Sequence, residues 1–377
     1  MMKILVGTLT HGKNSGGVDN FLFQVLEDIK QRDADLQLDF LIQHESEQVL
    51  RELQPYQSNL IKIPSMKHPL AHYRAIRQVL QQEVYDAVYF NVSTAINCIG
   101  CIAAKHIGIQ TRIVHAHSNG IDAVSTVNRT IRKMLNQLCI PVMYKSATHF
   151  WSNSDESAIW VFGQKVLTQE SYRIIPLPID INMFQNQPDV SNTLCKEWNL
   201  EGQLVLGHIG RFSYQKNHRF LIDTFREVRL QVPKSKLILV GDGELFNETK
   251  AYISHLHLEQ DVFLLGQRSD TAQLLQLFDY FVLPSRFEGA GIVVLEAEAC
   301  GVPCIVSDVI PKVVNLSGRV KYLPIASKED SIVWANYIVK QWKNLGRVRI
   351  DTTNEFMKLG YAKGSFDYAK LIRDTKN

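Results

Sequence analysis

The chain has 377 residues, of which 45% are hydrophobic and 21% are charged, and its formal net charge is +3. This length allows two or three domains, the composition is typical of globular proteins, and the charge is too small to indicate a nucleic-acid partner. No run of about 18 apolar residues occurs, so we expect no membrane-spanning helix.

Short apolar runs alternate with helical patterns along most of the chain, which predicts an α/β fold with parallel sheets. The first run, residues 4–7, leads into a polar loop that ends in Ser15-Gly16-Gly17-Val18, and an amphipathic helix follows. Ligands of α/β proteins bind at the carboxyl ends of strands, and glycine lets a phosphate or sugar approach the backbone. Gly16 and Gly17 are therefore candidate binding residues. The loop lacks the G-x-G-x-x-G spacing of a nicotinamide site.

Two short segments match sequence motifs of metal or redox sites. Asp33-Ala34-Asp35 spells D-x-D, but it occupies a polar turn between a helix and a strand, which favours a solvated loop. Cys98-Ile99-Gly100-Cys101 spells C-x-x-C in an apolar helical pattern, which favours packing thiols over a redox or zinc role. The six cysteines show no disulfide framework, so the cytoplasm is the expected compartment.

Residues 112–120, Arg-Ile-Val-His-Ala-His-Ser-Asn-Gly, form a strand and its exit. Strand alternation places His115 and His117 on one face, and His117 lies nearer the carboxyl end. His117 is therefore the candidate site residue, and His115 is interpreted as a structural histidine. A metal pair is not favoured, because no carboxylate lies nearby in sequence to complete a ligand set.

Residues 126–145 predict a helix that combines Arg129, Arg132 and Lys133 with several apolar residues. Such a helix can rest on an anionic membrane, or it can pack on the core with its basic side solvated. We favour packing on the core.

A second series of strands begins at residues 204–209, after a polar linker at 185–191. Arg211 and Lys216 follow the first of these strands and precede a helix that starts near residue 218. The two cations could stabilise a diphosphate leaving group without a metal. Glu244 follows Gly241-Asp242-Gly243; it either faces the site or begins a helix, where a carboxylate is favourable.

The most informative segment is residues 284–303, which follow a short apolar run at 280–283. The run predicts a buried strand, and a helical pattern begins at Ile292 and ends at Gly301. Between them, the amides of Gly289-Ala290-Gly291 and the positive end of the helix suit an anion. Glu288 and Glu296 flank this loop and suit hydroxyl groups.

The spacing of Glu288 and Glu296, with seven residues between them, resembles the signature of family 4 glycosyltransferases, which have the GT-B fold. The run that begins Arg211-Phe212 and continues to Gln215-Lys216-Asn217 is also similar to that family. In the first half, Gly16-Gly17-Val18-Asp19 and residues 112–117 resemble bacterial transferases of capsule or exopolysaccharide assembly. Leu177-Pro178, at the turn between the domains, departs from the Asn-Gly of many relatives.

The resemblance implies two Rossmann-like domains that face each other across a cleft, and a retaining transfer that needs no metal and no cofactor besides the nucleotide-sugar donor. It implies that Glu288 holds the donor sugar, Glu296 holds the ribose, and His117 orients the reacting groups. The residues assigned to catalysis are His117, Arg211, Lys216 and Glu288. The residues assigned to the donor are Gly16, Gly17, Arg211, Lys216, Glu244, Leu265, Gly266, Glu288, Gly289, Ala290, Gly291, Ile292 and Glu296.

The predicted activity is transfer of a hexose or N-acetylhexosamine from a UDP-sugar to a glycan acceptor, such as a lipid-linked intermediate. Residues 1–185 would bind the acceptor, residues 190–364 would bind the donor, and residues 365–377 would return to the first domain. Peripheral contact with the cytoplasmic face of the membrane is left open. Two alternatives remain. An epimerase of the same fold would need a carboxylate and histidine set that the sequence does not reveal, and a non-catalytic sugar-nucleotide-binding subunit would not need the intact cations and carboxylates.

Overall fold

The computed structural model describes residues 2–9, 17–33, 35–43, 47–56 and 58–376. The chain divides into two compact units. The first consists of Met1–Ile121, Thr130–Pro178 and Lys363–Asn377, and the second of Asp122–Arg129 and Ile179–Ala362. The division at Ile179 precedes the linker predicted at 185–191, and the assignment of Asp122–Arg129 to the second unit had no counterpart in the sequence patterns.

The first unit is built on a parallel sheet with the order β3-β2-β1-β4-β5-β6-β7 among the described residues. Its strands are β1 (Met2–Leu9), β2 (Leu36–Ile42), β3 (Leu60–Lys62), β4 (Ala87–Val92), β5 (Thr111–Ala116), β6 (His149–Ser152) and β7 (Tyr172–Ile174). The central strands are buried on both faces, as expected for a parallel sheet covered by helices; in β1, Ile4, Leu5 and Val6 are fully buried.

Helices precede or follow these strands as crossover connections. They are α1 (Gly17–Arg32), α2 (Glu47–Leu53), α3 (Pro69–Gln82), α4 (Ile99–Ile107), α5 (Thr126–Ser146, of which residues 126–129 belong to the second unit) and α6 (Asp155–Phe162). Cys98 and Cys101, at the start of α4, are buried free thiols, and burial raises their pKa values to about 11 and about 12. They pack in the core beneath β4, as the apolar helical pattern predicted.

The second unit has its own parallel sheet, with the order β10-β9-β8-β11-β12-β13 in the described part of the chain. Its strands are β8 (Leu204–Ile209), β9 (Ser235–Val240), β10 (Val262–Leu264), β11 (Tyr280–Leu283), β12 (Cys304–Ser307) and β13 (Lys321–Leu323). Its helices are α7 (Ile181–Phe184), α8 (Pro188–Glu197), α9 (His218–Gln231), α10 (Phe246–His255), α11 (Thr271–Leu275), α12 (Ile292–Ala299), α13 (Asp330–Leu345) and α14 (Thr353–Lys358). On one face, α9 and α13 cover the sheet through a core that includes Phe225 and Trp334.

The last helix, α15 (Tyr368–Asp374), packs on α1 within the first unit. The backbone N–H of Tyr368 donates to Asp28 Oδ2 at 3.0 Å, and the Tyr368 hydroxyl donates to the Pro176 carbonyl at 2.8 Å. The Arg373 guanidinium pairs with Asp33 and lowers the pKa of its carboxyl group. Asp33, the first aspartate of the D-x-D sequence, therefore forms an ion pair with α15. This contact corrects the interpretation of Asp33-Ala34-Asp35 as a solvated loop only. Ala34 lies outside the described residues.

Helix α5 corrects a second expectation. Its apolar residues Ile131, Met134, Leu135 and Leu138 are exposed rather than packed on the core. Within the described ranges, no helix is both long and apolar enough to cross a membrane.

Candidate functional site

The second sheet reverses its order between β8 and β11, which are neighbours. From β8 the chain continues to β9 and β10 on one side, and from β11 to β12 and β13 on the other. All strands are parallel, so their carboxyl ends lie at one edge, and the reversal opens the crevice where doubly wound sheets bind ligands. The two loops at this point are residues 210–217 and residues 284–291.

Hydrogen bonds join these two loops directly. The Arg286 backbone N–H donates to the Gln215 carbonyl at 2.8 Å, and Gln215 Nε2 donates to the Phe287 carbonyl at 3.0 Å. Asn217, in the left-handed conformation with φ 57°, donates to the Pro284 carbonyl at 3.2 Å. Arg286 Nη2 donates back to Asn217 Oδ1 at 2.7 Å. The loops therefore form one connected structure.

Lys216 and Glu288 meet at the centre of this structure. Lys216 Nζ lies 2.6 Å from Glu288 Oε1, and Gln215 Nε2 donates to Glu288 Oε2 at 2.9 Å. The side chains are only 13% and 7% exposed, respectively, so the charges interact with little screening by water. Removing one partner would leave a buried charge uncompensated. The structure thus brings together two residues that the sequence analysis assigned separately to the diphosphate and the sugar.

Arg211 and Glu244, in the loops after β8 and β9, form a second and more exposed pair. Arg211 Nη2 lies 2.9 Å from Glu244 Oε2, and the side chains are 68% and 36% exposed. Exposed ion pairs contribute roughly 0–1 kcal/mol, so this pair can open at little cost when a ligand arrives. Glu244 lies two residues before α10, and its side chain pairs with Arg211.

The loop after β9 approaches the Arg211 loop closely enough to require glycine. The Phe212 N–H donates to the Asp242 carbonyl at 2.9 Å, and the Leu245 N–H donates to the Phe212 carbonyl at 2.9 Å. A Cβ atom on Gly241 would lie 2.1 Å from the Gly210 carbonyl oxygen. Any larger residue at position 241 would push the two loops apart.

Helix α12 begins at Ile292, as predicted, with Gly291 as its left-handed N-cap at φ 92°. The first-turn amides of a helix lack intrahelical acceptors and point toward its N-terminal end. Gly289 and Ala290 lie in the loop before this end. On the neighbouring side of the sheet, Leu265 and Gly266 follow β10, and the Leu265 N–H donates to the Leu239 carbonyl at 3.0 Å.

Glu296 lies in the second turn of α12 and is half-buried. Loss of water around its carboxyl group raises the pKa to about 7, while the charge of Lys216 opposes the rise. Glu296 therefore carries a proton part of the time near neutral pH. A half-buried carboxyl group with such a raised pKa, close to a lysine at a switch point, is typical of a functional site.

Two buried histidines beneath this site were not identified from the sequence. His208 Nδ1 donates to the Val282 carbonyl at 2.8 Å, and the His218 ring stacks on Phe212 with centroids 4.0 Å apart. Burial lowers their pKa values to about 3 and about 2, so both rings are neutral. A Cβ atom on Gly210 would lie 3.1 Å from both His208 Nε2 and Lys216 Cε, so the ring and the lysine stem converge there. The only signal in the sequence was their position beside the Arg211 loop.

In the first unit, His117 lies just beyond the carboxyl end of β5. Its Nε2 lies 2.7 Å from Asn91 Oδ1, and its Nδ1 lies 3.0 Å from Asn153 Nδ2. The amide partners require a neutral ring with the proton on Nε2, and burial lowers the pKa to about 3. Asn91 and Asn153 were missed by the sequence analysis, although both lie at the carboxyl ends of strands next to β5.

His115 is fully buried, with its ring centroid 4.0 Å from that of His117. Its Nδ1 lies 2.8 Å from the Tyr89 hydroxyl, and its Nε2 lies 2.7 Å from Asn153 Oδ1. His115 is therefore hydrogen-bonded to Asn153, which is in turn hydrogen-bonded to His117. This arrangement agrees with the structural interpretation of His115, with side chains rather than backbone as its partners.

Gly17 is the first residue of α1, and Gly16 lies outside the described residues. No group of three or more His, Cys, Asp or Glu side chains in the described part of the chain could hold a metal ion.

Residues 192–318 match the family model described as Glycosyl transferases group 1. The chain is 27% identical over 357 residues to the putative glycosyltransferase EpsF of Bacillus subtilis strain 168. The aligned region covers 93% of this chain and 91% of that protein. It is also 28% identical over 257 residues to the UDP-Gal:alpha-D-GlcNAc-diphosphoundecaprenol alpha-1,3-galactosyltransferase of Escherichia coli, over 67% of this chain and 64% of that one.

Solved structures show the same architecture. HepE of Anabaena, in complex with UDP-glucose, superimposes with a TM-score of 0.76 at 22% identity, over 100% of this chain and 99% of that chain. Sucrose-phosphate synthase from Thermosynechococcus elongatus gives a TM-score of 0.72 at 17% identity, over 99% of each chain. The chain therefore has the predicted GT-B fold of two Rossmann-like domains, and residues 192–318 are similar to the glycosyl transferases group 1 family.

Proposed function

We propose that the protein is a retaining, metal-independent glycosyltransferase that moves a hexose or N-acetylhexosamine from a UDP-sugar to a glycan acceptor on a lipid carrier, in capsule or exopolysaccharide assembly. The observation that carries the proposal is the buried pair of Lys216 and Glu288 at the switch point of the second sheet. It supplies a cation for a diphosphate and a carboxylate for sugar hydroxyls within one hydrogen-bonded pair of loops.

The relatives support the choice of donor and acceptor. The Escherichia coli protein is named for a UDP-galactose donor and a diphosphoundecaprenol acceptor, and a Campylobacter jejuni relative is named as a transferase acting on a diphospho-undecaprenol sugar. HepE binds UDP-glucose. The second unit would bind the donor and the first unit the acceptor.

In the proposed complex, the diphosphate lies against Lys216, Arg211 and the first amides of α12. Charge-assisted hydrogen bonds from these groups would stabilise the negative charge that grows on the leaving phosphate. Glu288 would then exchange its contact with Lys216 for the hydroxyls of the donor sugar. Glu296 would accept hydrogen bonds from the ribose, and the backbone near Leu265 and Gly266 would face the base.

The transfer itself joins the acceptor oxygen to the anomeric carbon as the bond from that carbon to the phosphate oxygen breaks. The acceptor proton passes to the departing phosphate, so no protein base is needed. Glu288 is assigned to the hydroxyls of the donor sugar, and we propose no covalent nucleophile. His117, neutral and fixed by two asparagines, is proposed to orient the transferred sugar.

Binding of nucleotides to the donor site is tested by thermal unfolding with a panel of nucleoside diphosphates and nucleotide sugars. We expect UDP and at least one UDP-sugar to raise the melting temperature, because a ligand at about 100 times its Kd adds about 2.7 kcal/mol. A chelator should leave the shift unchanged. Incubation of that donor with lipid-linked acceptors should then yield a glycosylated product. An epimerised donor formed without acceptor would contradict the transferase assignment, and binding without product from any acceptor would favour a non-catalytic subunit.

The affinity for a UDP-sugar should depend on pH through Glu296. Its carboxylate is the form that accepts hydrogen bonds from ribose hydroxyls, and its pKa of about 7 means that a proton must leave on binding at lower pH. We therefore expect the affinity to fall about tenfold between pH 8 and pH 6. The donor's diphosphate diester does not titrate in this range, so calorimetry at the two values isolates the protein group.

The matched variant is Glu296→Gln, which keeps the size of the side chain and removes the titration. It should bind the UDP-sugar more weakly than the wild type at pH 8 and show no change between pH 8 and pH 6. An unchanged affinity of Glu296→Gln at pH 8 would remove Glu296 from the ribose site.

The six cysteines are free thiols, which suits a reducing compartment, and we propose that the protein acts in the cytoplasm. A lipid-linked acceptor would also require it to approach a membrane surface.

A further inference from the structure

His208 has a buried hydrogen-bond acceptor that the proposed mechanism does not use. Its ring is fully buried in β8, and its Nδ1 lies 2.8 Å from the Val282 carbonyl oxygen. A carbonyl oxygen only accepts hydrogen bonds, so the proton is on Nδ1 and Nε2 presents its lone pair. Nε2 is buried and has no hydrogen-bond partner among the described residues. An unsatisfied buried acceptor lowers stability, so its presence needs a physical reason.

The space beside Gly210 connects this acceptor to Lys216. A Cβ atom on Gly210 would lie 3.1 Å from His208 Nε2, 3.1 Å from Lys216 Cε and 3.2 Å from Lys216 Cδ. The acceptor and the end of the lysine stem therefore border the same gap, which the absence of a side chain at position 210 leaves open. Burial, with a contribution from the charge of Lys216, lowers the His208 pKa to about 3. The ring therefore stays neutral near pH 7 and keeps its acceptor.

In the structure, the Lys216 ammonium contacts Glu288 rather than His208. Its Nζ lies 2.6 Å from Glu288 Oε1, and the lysine side chain is only 13% exposed. An ammonium group has three N–H donors on a flexible stem. Rotation about the last bonds of the stem would bring Nζ toward His208 Nε2 while most of the lysine stays in place. Two acceptors of different charge are thus available to the same cation.

Three other side chains near His208 contain buried polar atoms. The His218 ring lies edge-on to the His208 ring with centroids 4.8 Å apart, and the hydroxyls of Ser213 and Ser285 lie in the two loops of the site. None of these polar atoms has a partner within the described ranges, and none reaches Nε2. They are therefore not placed to satisfy it. The Lys216 ammonium, in contrast, is engaged by Glu288, and a charged donor makes the stronger hydrogen bond.

We infer that His208 is a positioning residue, which accepts a hydrogen bond from the Lys216 ammonium when Glu288 turns to the donor sugar. A buried ammonium that loses its carboxylate needs other acceptors. The diphosphate supplies one, and His208 Nε2 supplies another that is already fixed by its bond to the Val282 carbonyl. Hydrogen bonds are exchanged and no proton is transferred, because the imidazole is a much weaker base than an amine.

The inference rests on the proposed function for the identity of the ligand, but the exchange itself can be measured without one. The test is NMR of nitrogen-labelled histidine rings in the full chain near pH 7, with His208→Asn to assign the signal. We expect an unprotonated Nε2 in the wild type. In Glu288→Leu, where the ammonium has lost its carboxylate, the Nε2 resonance should move upfield as the atom accepts a hydrogen bond.

Lys216→Met added to Glu288→Leu should abolish this upfield shift. A shift that persists would identify water or another group as the donor and would overturn the inference. The same resonance in the wild type and in Glu288→Leu would also overturn it.

A second measurement needs no change at Glu288. It compares the Kd of the nucleotide sugar found by thermal unfolding with the Kd of its nucleoside diphosphate. The diphosphate has no sugar to draw Glu288 away, so His208→Asn should change its Kd less than about twofold and weaken the nucleotide sugar about tenfold. Gly210→Ala, which fills the gap between the two partners, should have the same effect. His208→Gln, whose amide oxygen reaches toward the place of Nε2, should recover most of the affinity.

His72→Asn is the matched control. His72 is 4% exposed, and its Nδ1 lies 2.7 Å from the Pro64 carbonyl oxygen, so the substitution truncates the same kind of buried ring on α3. It should lower the melting temperature but leave the ratio of the two affinities unchanged. Equal weakening of both ligands by His208→Asn, or a changed ratio in the control, would contradict the positioning role. If neither ligand bound the wild type, the proposed donor site would fail, while the NMR comparison would still decide the inference.

Discussion

Replacing Lys216 by methionine should lower kcat/KM at least 100-fold, which corresponds to about 2.7 kcal/mol of transition-state stabilisation. Methionine keeps most of the stem and removes the charge. The variant loses the cation nearest the proposed diphosphate, and it leaves Glu288 buried without its ion-pair partner. The measurement is steady-state transfer from the donor identified by thermal unfolding, with the melting temperature of the variant recorded alongside.

Lys236→Met provides the control. Lys236 Nζ lies 2.8 Å from Asp261 Oδ1, and its side chain is 19% exposed, so this variant also breaks a largely buried pair. Lys236 is near the amino end of β9, away from the carboxyl edge that carries the site. Asp261 keeps Arg229 as an ion-pair partner at 2.8 Å, so we expect a smaller fall in melting temperature, with nearly unchanged kcat/KM. Equal activity in both lysine variants would remove Lys216 from the diphosphate site.

Arg211→Ala should have a smaller effect, about tenfold, or about 1.4 kcal/mol. Arg211 is mostly exposed and its pair with Glu244 is screened by water, so less electrostatic stabilisation depends on it.

Gly207→Ala should lower the stability of the second unit by about 3 kcal/mol, near the upper end of the usual range for overpacking a core. Gly207 lies in the middle of β8, and an added Cβ atom would lie 2.0 Å from the Phe278 ring. Both residues are buried, so neither the strand nor the ring has free space to move into. For a unit of this size the melting temperature should fall by about 6–12 °C.

A double-mutant cycle separates this clash from a general intolerance of alanine in β8. Phe278→Ala alone destabilises by opening a cavity, but in its background Gly207→Ala should cost much less than in the wild type. Additive losses would show that the ring is not what excludes the Cβ atom. Since β8 leads directly into the Arg211 loop, the folded double variant also tests whether donor binding tolerates a shift of this strand.

Local patterns in the sequence predicted most elements of the second sheet. The apolar run at 280–283 is β11, the helical pattern from Ile292 is α12, and Gly301, at φ 72°, follows its last turn. These predictions succeed because strand and helix periodicities, and the backbone freedom of glycine, depend on neighbours within a few residues. The same reasoning placed Arg211, Lys216 and Glu288 after parallel strands, and therefore at one edge.

The tertiary structure alone decided which of these groups touch. Lys216 and Glu288 are 72 residues apart, and their contact depends on β8 and β11 being neighbours in the sheet. Asn153 bridges His115 and His117 for the same reason, because β5 and β6 pair side by side. Asp33 pairs with Arg373 only because α15 packs on α1.

Helix α5 shows most clearly what the sequence alone could not predict. Its sequence determined that one side is apolar and that its charges are basic, because those properties belong to the residues themselves. Whether the fold covers the apolar side depends on which side of the helix packs on the core, and α5 packs through a different side, which carries Asn136 and Met143. Burial is a property of the packed chain, so only the tertiary structure could show that Ile131, Met134, Leu135 and Leu138 are exposed.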